Sequence, residues 1–305
     1  IGAPTVLVEH LLSERALVAL IDEAASLYGR PVDALISVEI GGCNSLVPLG
    51  VGACVGLPVV DADGMGRAFP HLEMTSFSVA GRRSTPALLR DDRGNSARIT
   101  LDDDRSAEHV ARSFAATLGG LVHSIVYPLS AQAVVETAVP GTLTATLEIG
   151  RRIREARSES GSPVAALLDY LDDPAAGRRA VHLHRGKVVD IRHETRDGWH
   201  WGEATIAAQH DPAERLVIGI QNEYIVARRG GRAVVCVPDI IAVLDQESAE
   251  PLTAEQLRYG QRVDVIGYSA HPIMWQPAGL DVFGPAAFRI ADPYRGLVPQ
   301  LADAA

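Results

Sequence analysis

The sequence predicts a two-part α/β chain: an N-terminal α/β domain with a partly parallel sheet over residues 1–175, and a C-terminal all-β domain, barrel- or sandwich-like, over residues 176–305. Three observations predict it. Helix-period and strand-like apolar runs alternate in the first part. After Gly177, short strand-like runs follow one another around Gly, Asp and Asn turns. Of 305 residues, 47% are hydrophobic and 22% charged, which suffices for a core in each part.

Taken in order, "SERALVALIDEAASLYG" places Leu17, Leu20, Ile21, Ala24, Leu27 and Tyr28 on one helical face, with Ser13 as the cap and Gly29 and Pro31 as the stop. "ALISVEI" reads as a short buried strand, "SLVPLGVGACVG" as an apolar helix in spite of Pro48, and "LPVVDAD" as a second strand. Strand, helix and strand within about thirty residues favour a right-handed parallel βαβ unit, whose ligands collect beyond the carboxyl ends of the strands. "MTSFSVAG", "PALLRDD" and "ARITLD" are expected as strands around a "DRGN" turn, "SAEHVARSFAATLGG" as a helix and "LVHSIVYPLS" as a strand. Two helices follow, "GTLTATLEIGRRIREARSES" and "SPVAALLDYLDD", the latter capped by Ser162 with Pro163 in its first turn. The remaining runs, among them "AVHLHRGKVVDIRHE", "GWHWGEATIAA", "ERLVIGIQNEYIVAR" and "AVVCVPDIIAVLD", have the turn spacing of an antiparallel barrel or sandwich.

A net charge of -10 disfavours nucleic acid or an anionic membrane as partner, because phosphate binding needs clustered Lys and Arg. Cys43, Cys54 and Cys236 are odd in number and form no CxxC pair, which supports neither a disulfide framework nor a thiolate zinc site. A reducing, cytoplasmic setting is expected. No apolar run reaches bilayer length.

The chemistry concentrates in two stretches. Glu39 ends one expected strand, and Asp61 and Asp63 end the next, so neighbouring strands would bring three carboxylates to one edge. Such a cluster needs a cation, a shared proton or a cationic ligand; the competing role for the two aspartates is to cap turns before Gly64 and Gly66. Arg67 is placed to hold an anionic substrate group or to form a structural ion pair below the loop. Gly41 and Gly42 let backbone N–H groups approach a ligand, and the helix start at Asn44 and Ser45 favours a developing negative charge. Cys43 in that turn is a candidate nucleophile or simply a small residue. His10 could join the carboxylate edge, and with Asp61 and Asp63 it forms a candidate site for zinc or manganese. No nucleotide cofactor is expected. His182 and His184 alternate on a strand, as do Trp199, His200 and Trp201, without recognisable ligand spacing. Asn222, Glu223 and Asp239 stand beside turns, where capping is the favoured role.

The stretches "EIGGCNSLVPL", "GLPVVDADGMGRAFPHLEM", "VPGTLTATLEIGRRIREA", "LHRGKVVDI", "QNEYIVA", "VPDIIAVLD" and "LRYGQRVDVIG" resemble the bacterial family named for S-methyl-thiohydantoin desulfurase, found beside hydantoinase-type proteins. The resemblance implies an N-terminal α/β domain and a C-terminal β domain. Glu39, Gly41, Gly42, Asn44, Asp61, Asp63, Arg67 and Glu73 match the family's pattern, and Cys43 is not carried over. Where the family has Lys in a Glu-Lys pair, this chain has His10, and a Gly-rich segment is expected upstream of "GAPTV". The function so implied is hydrolysis of a cyclic amide or thiohydantoin-type ring. Water would be activated by Asp61, Asp63 or Glu39, with or without a divalent ion; Arg67 would orient the substrate, and Gly41, Gly42, Cys43, Asn44, Ser45 and Glu73 would line its site. The alternative is a ligand-sensing or accessory subunit without turnover. The expected partners are a small-molecule substrate and a second copy of the chain or a hydantoinase-type protein, with neither nucleic acid nor membrane.

Overall fold

The computed structural model describes residues 1–2, 13–196 and 199–297. The chain divides into two compact units, Ile1–Leu143 and Thr144–Ala305.

Along the first unit run α1 (Glu14–Tyr28), α2 (Gly42–Val55), β1 (Ala62–Asp63), α3 (Ser76–Val79), β2 (Ala87–Arg90), β3 (Ser96–Ile99), α4 (Asp104–Thr117), β4 (His123–Ile125), α5 (Ala131–Thr137) and β5 (Val139–Pro140), and α6 (Thr142–Ser158) begins at its end. The Ser13 hydroxyl accepts the Ala16 N–H at the start of α1, and Gly29 ends the helix in the left-handed region at φ 65°, where a side chain would be strained. Leu20 and Ala24 of α1 pack with Leu88 of β2, while β2, β3 and α4 enclose Leu89, Ile99, Ala107, Ala111 and Ala115.

Here the expected parallel sheet is corrected. Among the described residues both sheets of this unit are antiparallel, β1 with β5 and β2 between β3 and β4. All that remains of the parallel βαβ unit is one bridge, Leu35 to Val59, on either side of α2. Its two hydrogen bonds are Leu35 N–H to the Pro58 carbonyl and Val60 N–H to the Leu35 carbonyl. Further along, the Ile40 N–H goes to the Asp63 carboxylate and the Val38 carbonyl accepts the Gly64 N–H, so a side chain joins the two segments there. The expected strand "MTSFSVAG" is instead the short helix α3, started by the Thr75 hydroxyl accepting the Ser78 N–H. The strand expected over "LVHSIVYPLS" is only β4; Tyr127 follows at φ 52° and Ser130 caps α5.

In the second unit the main part of α6 is followed by α7 (Pro163–Leu171), capped by Ser162 as expected. Then come β6 (Ala180–Arg196), β7 (Trp199–Ala208), β8 (Arg215–Gln221), β9 (Glu223–Arg229), β10 (Arg232–Cys236), β11 (Ile240–Asp245) and β12 (Arg262–Tyr268). They form one antiparallel sheet in the order β10-β9-β8-β7-β6-β12-β11. Val235 near one edge and Ile241 and Val243 at the other share a core with Ile206, Ile218, Val263 and Val265, so the sheet curls around its inner face. Leu244 and Ile266 point to the other face and pack with Ile153, Val164, Leu167 and Leu171 of α6 and α7. This period-2 division is the physical content of the alternating pattern read in the sequence. The region is not purely β: α8 (Pro272–Trp275) and α9 (Pro277–Phe283) follow β12, each opened by a proline in its first turn. Among the described residues no helix is long and apolar enough to cross a membrane.

Candidate functional site

Asp63 organises the first unit. Its side chain is fully buried. Oδ2 accepts N–H groups from Ile40 at 2.8 Å, Met65 at 3.1 Å and Gly66 at 2.8 Å, and Oδ1 accepts the Gly66 N–H at 3.0 Å. One carboxylate therefore pins the "EIGG" turn to the "DADGMG" loop. Burial raises its pKa from 3.8 to about 6, against the opposing pull of these N–H donors and the Thr142 hydroxyl.

Glycines permit the approach. A Cβ on Gly64 would lie 2.6 Å from the Phe77 ring and 2.9 Å from the Val38 carbonyl, and one on Gly41 would lie 2.7 Å from Ala68 Cβ. Gly41 and Gly64 thus let two loops touch, whereas Gly42 adopts φ 53° with open space beside its Cα. Gly64→Ala is expected to cost about 1–3 kcal/mol by overpacking, read as a lower urea midpoint; an unchanged midpoint would show that the loop yields freely.

The two other carboxylates reach solvent. Glu39 is half-buried, and its Oε1 accepts the Asn44 Nδ2–H at 2.6 Å. Asp61 is exposed, and its Oδ1 accepts the Leu143 N–H at 2.9 Å in the first turn of α6. Each stands within two residues of a partner in the Ile40–Asp63 bond along the chain. Beside them α2 starts at Gly42, with Gly41 as a cap that offers no side-chain acceptor. The grouping thus holds two solvent-reaching carboxylates, an amide and the N–H groups of a helix start. Sequence reading overlooked Thr142 and Leu143, which complete it; the signal was the "PGT" turn opening α6, with Gly141 at φ 73°.

Two family models match the chain: "S-Me-THD-like, N-terminal domain" over residues 1–100 and "S-Me-THD-like, C-terminal domain" over residues 102–297. The chain belongs to the S-Me-THD-like family. A protein of Chromobacterium violaceum, whose crystal structure was determined by the Northeast Structural Genomics Consortium, shares the fold with a TM-score of 0.80 at 20% identity, over 97% of this chain and 82% of its own. No curated protein matches the sequence. The S-Me-THD-like assignment agrees with the resemblance carried by the motifs.

Other expected site residues are placed less favourably. The Ser45 hydroxyl is buried and donates to the Gly42 carbonyl at 3.0 Å. Arg67 is buried, donates through Nε to the Ala68 carbonyl and lies over the Phe69 ring at 4.9 Å from its centroid. Glu73 has Oε1 3.8 Å from Arg105, and its Oε2 is buried without a hydrogen bond. His71 has its pKa lowered, chiefly by burial, while Glu73 and Glu108 act in the opposite direction. His10 and the side chain of Cys43 fall outside the described residues. For the proposed set of His10, Asp61 and Asp63 the fit is poor, because both Asp63 oxygens face backbone donors rather than a cation. Among the described residues no group of three or more His, Cys, Asp and Glu is arranged to hold a metal ion.

Proposed function

We propose that the chain is a hydrolase acting on an S-alkyl thiohydantoin or related five-membered cyclic amide ring, with Glu39 and Asp61 as the carboxylates that handle the proton of the attacking water. The observation that carries this reading is the division of labour among the three carboxylates: Asp63 is consumed in holding the loops, while Glu39 and Asp61 reach solvent on either side of it. One of the two takes a proton as the water oxygen bonds to the ring carbon that bears sulfur. The electron pair displaced from the C=N bond collects on the ring nitrogen, where Asn44 and the N–H groups at the start of α2 favour it. The pair then returns as the C–S bond breaks, and the departing thiolate takes up the proton. Water and an S-methyl ring thus give a hydantoin and methanethiol. A thiolate is a good leaving group at neutral pH, so weak acid help suffices. Arg67, stacked on Phe69, holds the loop that carries Asp63.

Incubation of the full chain with S-methyl-thiohydantoin is expected to release methanethiol, detected with a thiol reagent, in proportion to enzyme and time. Saturable binding without any thiol would replace this reading by that of an accessory, ligand-sensing subunit working beside a hydantoinase-type enzyme.

A further inference from the structure

On the long β6–β7 hairpin, His193 Nδ1 and His200 Nε2 stand 3.0 Å apart. The register pairs His193 with Gly202 and Thr195 with His200, so the two imidazoles are diagonal neighbours on one face of the ribbon. Glycine opposite His193 leaves room between the rings: a Cβ at Gly202 would stand 3.4 Å from His193 Nδ1. Both residues are held. The His200 backbone is clamped by Asn222, whose Oδ1 accepts the His200 N–H at 2.8 Å while its own N–H donates to the His200 carbonyl at 2.7 Å. Asn222 adopts φ 56°, a left-handed conformation that asparagine tolerates better than most residues. The His193 ring also interacts with the Leu257 carbonyl. His193 Nδ1 and His200 Nε2 share one hydrogen bond, and an ion that takes both nitrogens displaces its single proton.

A ring nitrogen fixed as an acceptor by a carbonyl on its other nitrogen is the usual condition of a metal-ligating histidine. A separation of 3.0 Å also matches two imidazoles on one ion at about 2.0–2.1 Å, with a ligand angle of about 95°. We propose that His193 and His200 form a two-imidazole site for a borderline divalent transition-metal ion, binding Cu(II) more tightly than Zn(II). The remaining coordination positions face solvent and take water or a small anion. Glu255 adds favourable charge near His193, and Arg258 opposes it. Both histidines belong to the second unit, and the inference does not rest on the hydrolase reading.

The test is titration of the full chain with Cu(II) at pH 7.5, following tryptophan fluorescence, since Trp199 and Trp201 flank His200 and Cu(II) quenches at short range. One equivalent is expected to saturate the signal, the electron paramagnetic resonance spectrum to show two nitrogen ligands, and Zn(II) to compete. His193→Gln and His200→Gln should each weaken binding by more than about tenfold, and His182→Gln should leave it unchanged. Should His200→Gln disturb the Asn222 clamp, His193→Gln and the wild-type spectrum decide alone. Wild-type affinity in His193→Gln, a one-nitrogen spectrum, or loss of binding in His182→Gln would overturn the proposal.

Discussion

Asp63→Ala is expected to destabilise the first unit by about 3–5 kcal/mol, because it strands the N–H groups of Ile40, Met65 and Gly66 without their acceptor, each worth about 1–3 kcal/mol when buried and unpaired. Entry of water would place the result near the lower end of that range. Asp63→Asn behaves differently. Its carbonyl oxygen can take the Oδ2 position with all three N–H donors, while the longer half of the forked Gly66 bond is lost. The wild-type carboxyl has its pKa raised from 3.8 to about 6 by burial. A raised pKa means that the folded state holds the proton more tightly than the unfolded chain. Its stabilising contribution is therefore complete below pH 3.8 and is lost as pH rises through 6. At about 1.4 kcal/mol per unit, the loss approaches about 3 kcal/mol. Urea unfolding of wild type and Asp63→Asn at pH 4.5 and pH 8 should show the difference between them moving in the variant's favour as pH rises. Parallel behaviour at both pH values would mean that Asp63 stays ionised in the fold.

What was legible in the sequence was local. The Ser13 cap and Gly29 stop of α1, and the Ser162-Pro163 start of α7, involve groups within one or two turns of each other, and the sequence places them correctly. The strand-like run "IIAVLD" that forms β11 was legible for the same reason, since its composition is a property of one segment alone. Asn222 and Asp239, expected to cap their own turns, reach further: Asn222 accepts the His200 N–H across the sheet, and Asp239 accepts the N–H groups of Ala270 and Leu297 and the Tyr294 hydroxyl. The parallel pairing is less extensive than expected, and what joins the two segments beyond it is a contact across 23 residues between the Asp63 side chain and the Ile40 N–H, which local pattern does not reveal. The same contact separates Asp61 from Asp63. They lie two residues apart and look equivalent in "DADG", yet one faces solvent and the other is wholly enclosed. Nothing in their spacing distinguishes them; the N–H groups of Ile40, Met65 and Gly66 do.

Asp61→Asn and Glu39→Gln should each lower the turnover of S-methyl-thiohydantoin by about a hundredfold, the scale of a lost general base, while changing stability by less than about 0.5 kcal/mol. The prediction rests on what each substitution preserves. Asparagine at position 61 keeps an oxygen to accept the Leu143 N–H, and Asn and Asp cap helix starts about equally well. Glutamine at position 39 keeps an oxygen for the Asn44 amide. Geometry is retained in both and basicity is removed, so a fall in kcat reports proton handling rather than a collapsed loop. If one carboxylate removes the proton and the other orients the same water, the double variant should be little worse than the poorer single one, because the second substitution acts on a step already lost. If each serves a separate step, the losses multiply. Full turnover in both single variants would sink the carboxylate mechanism. Asp63→Asn supplies the internal control: it leaves Glu39 and Asp61 intact, so a large loss of kcat there, with stability maintained, would mean that the Asp63 carboxyl group itself takes part in the reaction.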